Sequence, residues 1–99
     1  MRIGTTPTHT FVLPFEASDF KKIQIVYSQN DQIILEKTVD DCKLNGNVVS
    51  VKLTQEETFK FDKQYSVKIQ MRVVTPEGDV LSSDVLSVCC DECLSSEVL

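Results

Sequence analysis

Between Tyr65 and Val73 every second position is apolar (Tyr65, Val67, Ile69, Met71, Val73), and Ser66, Lys68, Gln70 and Arg72 fill the positions between. A strand sends alternate side chains to opposite faces, whereas a helix would scatter this set around its circumference. The stretch therefore predicts a strand with one apolar and one solvated face. Ile23, Ile25 and Tyr27 repeat the pattern, as do Ile33 with Leu35, then Val49, Val51 and Leu53, and more weakly Phe11, Leu13 and Phe15. Strands are expected near residues 8–13, 22–29, 32–44, 47–53, 64–75 and 80–89, spaced as in an antiparallel sandwich rather than in strand–helix–strand units.

The turns fix the expected registers. Thr75-Pro76-Glu77-Gly78-Asp79 suits a three-residue hairpin loop, with Pro presetting the first turn position and Gly taking the left-handed one. Thr75 then faces Asp79, Val73 faces Leu81 and Ile69 faces Val85 inside, with Arg72–Ser82 and Gln70–Asp84 as outer pairs. Between the next two strands, a three-residue loop pairs Tyr27 with Ile33 and Ile25 with Leu35. A two-residue turn at Asn30-Asp31 would set Ile25 against Glu36, so the first register is expected. Leu44-Asn45-Gly46-Asn47 reads as a type I′ hairpin that places Cys42 opposite Val49 on the inner face. Carrying that ladder backward would bury Asp40 or Asp41, so a bulge or a change of sheet is expected at this acidic pair. Its chemical alternative is a carboxylate pair for metal binding or acid–base work.

Thr54-Gln55-Glu56-Glu57 follows a strand and reads as a capping box that opens one helical turn near residues 54–58. Phe59 and Phe61 are then expected to plug the end of the core. A short helical crossing, an acidic turn and Tyr65 at the start of the penultimate strand match an immunoglobulin-like sandwich around its tyrosine corner, without the Cys and Trp of antibody domains. Such an analogy of fold carries little about function.

The chain has 99 residues, is 41% hydrophobic and holds only three Gly and three Pro. That composition fits one globular domain that buries on the order of 60–65% of its unfolded surface. Fifteen acidic against ten basic residues leave a net charge of −5, which opposes binding to nucleic-acid phosphates. Residues 1–10 lack the apolar run of a signal peptide, and no segment approaches the ~18 apolar residues of a membrane span. Cytoplasmic synthesis, no membrane contact and mostly free thiols are the expectation.

Candidate chemistry is sparse. His9 is the only imidazole and is read as a surface or edge-strand residue, because no nucleophile motif such as G-x-S-x-G accompanies it. Cys90 and Cys93 have C-x-x-C spacing and with Cys42 or His9 could complete a tetrahedral zinc site. Cys42, however, already has a place as a small core residue, and an acidic tail after a strand would raise a thiol pKa rather than lower it. Glycines stand singly, so no phosphate cradle is expected. No catalytic residue, cofactor or small-molecule substrate follows from the sequence. One feature points to a protein partner: Val74, Val80, Leu86 and Val88 lie on the nominally outward face of the last hairpin. The alternative is a bulge or change of sheet near Ser83-Asp84 that turns Leu86 and Val88 inward. An exposed edge strand offers a second route to a partner, by strand addition.

The opening Arg2-Ile3-Gly4-Thr5-Thr6-Pro7-Thr8-His9-Thr10-Phe11, the middle Leu53-Thr54-Gln55-Glu56-Glu57-Thr58-Phe59-Lys60-Phe61 and the later Val67-Lys68-Ile69-Gln70-Met71-Arg72, with Gly78 and Ser83, resemble small prophage and mobile-element proteins of Firmicutes-type gut bacteria. The run from capped turn to V-x-I-Q-x-R, glycine turn and serine is also similar to Ig-like β modules of phage tail and baseplate proteins. The resemblance implies a structural or adaptor role, with itself or another virion protein as partner, and brings no catalytic residues with it.

The expectation is therefore an all-β chain, a single antiparallel Ig-like β-sandwich of about six to seven strands over residues 1–90, with a flexible acidic tail over 91–99. Its core is expected from Ile23, Ile25, Tyr27, Ile33, Leu35, Val49, Val51, Tyr65, Val67, Ile69, Met71, Val73, Leu81 and Val85. Its function is expected to be a non-enzymatic, phage-derived structural or protein-interaction module, cytoplasmic at synthesis and carried into a virion. The alternative is a small cytoplasmic thiol or metal-binding protein that uses Cys90 and Cys93.

Overall fold

The computed structural model describes residues 1–90 except Phe15, Ala17, Ser18 and Asp84. The chain is all-β. Among the described residues the strands are β1 (Thr8–Val12), β2 (Lys22–Gln29), β3 (Gln32–Thr38), β4 (Cys42–Asn45), β5 (Val48–Lys52), β6 (Val67–Val74), β7 (Val80–Ser82) and β8 (Leu86–Val88), and the one α-helical turn is α1 (Gln55–Thr58). Antiparallel pairing arranges them as β1-β5-β4 in one sheet and β3-β2-β6-β7 in the other, with β8 also paired to β6. No described helix is long and apolar enough to cross a membrane.

The two inner faces meet in one core. Phe11, Leu13, Val49 and Val51 from the first sheet pack with Ile23, Ile25, Tyr27, Leu35, Val67, Ile69, Met71 and Val73 from the second, and Leu53, Phe61 and Cys90 close it. Phe59 is only half-buried, so Phe61 alone of the two aromatics joins the buried core. The capping box forms as expected: Glu57 N–H donates to Thr54 Oγ1 at 3.1 Å and Thr54 N–H donates to Glu57 Oε1 at 2.9 Å. The Thr75–Asp79 hairpin also keeps its three-residue loop, with Thr75 N–H donating to Asp79 O at 2.8 Å and Gly78 at φ 95°.

Several registers differ from the sequence reading. The β2–β3 turn has two residues, because Asn30 and Asp31 both adopt positive φ (50° and 61°) and Gln29 pairs with Gln32. A shift between Tyr27 and Ser28 then sets Tyr27 opposite Leu35 and Ile25 opposite Lys37. This irregularity restores the inward phase that an unbroken two-residue hairpin would have lost, and it leaves Ile33 62% exposed rather than in the core. In the β4–β5 hairpin only Gly46 takes positive φ, so the turn sits one residue later and Cys42 faces Val51 instead of Val49. A change of two positions preserves the face, so Cys42 still points inward. The expected strand over residues 32–44 breaks at a 3-10 turn, Val39–Asp41, and β4 continues in the other sheet, which keeps Asp40 and Asp41 exposed.

The last expected strand divides into β7 and β8. Val73 faces Leu81 and Arg72 faces Ser82, but Ile69 faces Leu86 instead of Val85, and Val67 faces Val88. Ser83 closes the irregular stretch, its N–H donating to Met71 O at 2.8 Å and its Oγ accepting from Met71 N–H at 3.0 Å. Val85 is consequently 53% exposed. Leu81 keeps its inward register yet is 44% exposed, because it lies on an edge strand that no described strand of the first sheet covers. Tyr65 precedes β6 and is 40% exposed, so it does not join the core.

Candidate functional site

β1 ends its sheet, with β5 on one side and no described strand on the other. Leu53 N–H donates to Pro7 O and Leu13 N–H donates to Asn47 O, so the odd-numbered residues of this stretch turn their backbone groups toward β5. Antiparallel alternation then turns the N–H and C=O of Thr8, Thr10 and Val12 to the open side. Exposed edges are commonly blunted by Lys, Pro or bulges. The five-residue β1, Thr-His-Thr-Phe-Val, carries no Lys, Pro or acidic residue, and Val12 is 71% exposed on its outer face.

An apolar groove of about 520 Å³ runs beside this edge, lined among others by Phe11, Leu13, Phe20, Met71, Leu81 and Leu86. It occupies the open side of the sandwich, between β1 and the β7–β8 edge. A second cavity of about 360 Å³ shares Phe20 and Leu81 with it and adds Asp19, Glu77 and Asp79. Phe20 and Leu81 thus stand between the apolar groove and a cavity lined by three carboxylates.

A polar cluster holds β1 from beneath. His9 is half-buried, with Nδ1 2.7 Å from the Tyr27 hydroxyl and ring centroids 5.5 Å apart. Burial, with the N-terminal ammonium as the lesser cause, holds the imidazole below its ordinary pKa. The Tyr27 phenol is pushed well above its usual range by burial first, then by Cys42 and Glu57, so it keeps its proton. Tyr27 also packs against Phe61, with centroids 6.1 Å apart. Lys37 reaches from β3 to the Glu57 carboxylate. Burial alone would raise the Glu57 pKa, but Lys37 and the Thr54 backbone and hydroxyl outweigh it and hold the carboxyl below its ordinary value. The Cys42 thiol donates to Thr38 O at 3.3 Å; burial and Asp41 push it upward against the opposing charge of Lys37.

On comparison with protein-family models, curated proteins and solved structures, the chain matches none.

The structure separates the apolar residues expected to form one docking face. Val74 and Val80 pair on the outer face, where Val80 is 56% exposed. Leu86 and Val88 stand opposite Ile69 and Val67 on the inner side: Leu86 lines the groove and Val88 packs against the core. Cys90 is a buried core residue, and Cys93 lies outside the described residues. No three His, Cys, Asp or Glu side chains among the described residues group to hold a metal. The acidic pair Asp40-Asp41 is a turn, with Asp41 Oδ2 accepting from Thr38 N–H at 3.0 Å.

Two buried polar residues within the strands went unrecognised in the sequence. Gln29 Nε2 donates to the carbonyls of Asp62 and Tyr65 at 2.7 and 2.9 Å, and its Oε1 accepts from Asp62 N–H at 2.8 Å. Lys37 is the other. Both keep the period-two phase of the apolar residues before them, Gln29 after Ile25 and Tyr27 and Lys37 after Leu35. That phase was the signal available.

Proposed function

We propose that this chain is a non-catalytic structural or protein-interaction module that docks on another protein through the free edge of β1 and the groove beside it. The observation that carries this reading is the backbone of Thr8, Thr10 and Val12, which no described strand pairs, lying next to an apolar groove. A ready ladder supplies hydrogen bonds, and a groove supplies burial for alternate side chains. The resemblance to small β modules of phage tails and baseplates supports placing that docking in a virion.

Cross-linking mass spectrometry on virions purified from the induced source strain, with the cell lysate as control, tests both parts. The chain is expected at a fixed ratio to capsid or tail proteins, with cross-links from Lys52, whose position pairs with Thr8, and from Lys21. Detection only in the lysate would remove the virion role. Cross-links confined to Lys43, on the far strand of the same sheet, would remove β1 as the docking edge.

A further inference from the structure

Resting on that docking reading, we infer that the occupant of the β1 edge is an extended segment of a different protein, with large apolar residues at every second position and a Lys or Arg at one end. Three observations converge on this chemistry. Thr8, Thr10 and Val12 present N–H and C=O groups at strand spacing, which an extended backbone meets and a helix does not. The groove faces the same side as Phe11 and Leu13, so alternate side chains of an added strand enter it while those between stay in solvent.

Charge decides the end. The apolar groove reaches Phe20 and Leu81, which also line the neighbouring cavity of Asp19, Glu77 and Asp79 at the β6–β7 hairpin. A cationic residue placed there meets three carboxylates, and a net charge of −5 on the whole chain disfavours a second copy as occupant. β1 runs toward Pro14, which lines the same end of the groove. Antiparallel pairing, the more stable geometry, brings the partner in from the hairpin end, so its basic residue precedes its apolar positions.

Selection from a displayed random dodecapeptide library, followed by fluorescence anisotropy of the selected peptides with the whole chain, tests the inference. Enriched peptides should share a Lys or Arg followed by apolar residues at alternate positions. Methylating alternate backbone nitrogens of such a peptide should weaken binding at least tenfold, without altering the protein. Leu81→Asp should do the same through the groove, and the double variant Glu77→Lys, Asp79→Lys should weaken basic peptides about tenfold while sparing versions with a neutral end. Enrichment of acidic, proline-rich or helical peptides would overturn the inference, as would indifference to backbone methylation. If the chain self-associates and Thr10→Pro abolishes that without peptide binding, the edge docks a second copy: the docking reading stands and this inference falls. If neither peptide nor second copy binds and Thr10→Pro changes nothing, the docking reading itself falls.

Discussion

His9 Nδ1 lies 2.7 Å from the Tyr27 hydroxyl, which ties the edge strand of one sheet to an inner strand of the other. With the phenol protonated, the neutral imidazole accepts its hydrogen. Tyr27→Phe leaves the ring packing against Phe61 and deprives His9 of its partner. The expected cost is about 1–2 kcal/mol in urea denaturation, with faster amide exchange at Phe11 than at Ile69. Equal exchange at both would mean that this contact does not hold β1.

The same contact gives the fold a pH dependence. His9 binds a proton less readily in the folded chain than its ordinary value of 6.5, so stability is full above that value and falls as pH drops through the folded pKa. Glu57, also held below its ordinary value, adds a second loss beginning under about pH 4.5. Melting temperature measured from pH 8 to 4 should decline in the first window for the natural chain and stay level there in His9→Phe.

Gln29 satisfies one N–H and two carbonyls of the 62–65 loop from a site 3% exposed. Gln29→Leu deprives Tyr65 O and Asp62 N–H of this partner, while Asp62 O keeps its bond from Tyr65 N–H. A loss of about 2–4 kcal/mol is expected, since each buried unsatisfied polar group costs about 1–3 kcal/mol. An unchanged urea midpoint would show that water replaces the amide.

The β2–β3 irregularity makes neighbouring apolar residues unequal. Ile33→Thr should cost less than about 0.5 kcal/mol, because that side chain is 62% exposed. Leu35→Ala, opposite Tyr27, should cost about 2–4 kcal/mol. The register expected from the sequence, which buries both, predicts comparable losses.

Thiol exposure divides the described cysteines. Peptide-resolved alkylation at neutral pH should modify exposed Cys89 first. Cys42, whose thiol burial and Asp41 push upward, and buried Cys90 should lag until denaturant is added. Fast labelling of Cys90 in the folded chain would remove it from the core.

The strand class, the capped turn at Thr54 and the Thr75–Asp79 loop were legible in the sequence, because each depends on period or on residues within one turn. The phase of β2 likewise marked Ile23, Ile25 and Tyr27 as inward. Tertiary structure alone decided the rest. The Tyr27–Leu35 pairing depends on an irregularity that local propensity does not encode, and the exposure of Leu81 depends on which sheet edge lacks a cover. The site itself is of this second kind: β1 becomes an edge that no described strand covers, and Phe11 and Leu81 come to line one groove, only once the two sheets pack together. Periodicity records which way a side chain points from its own strand. What stands opposite it is set by long-range packing.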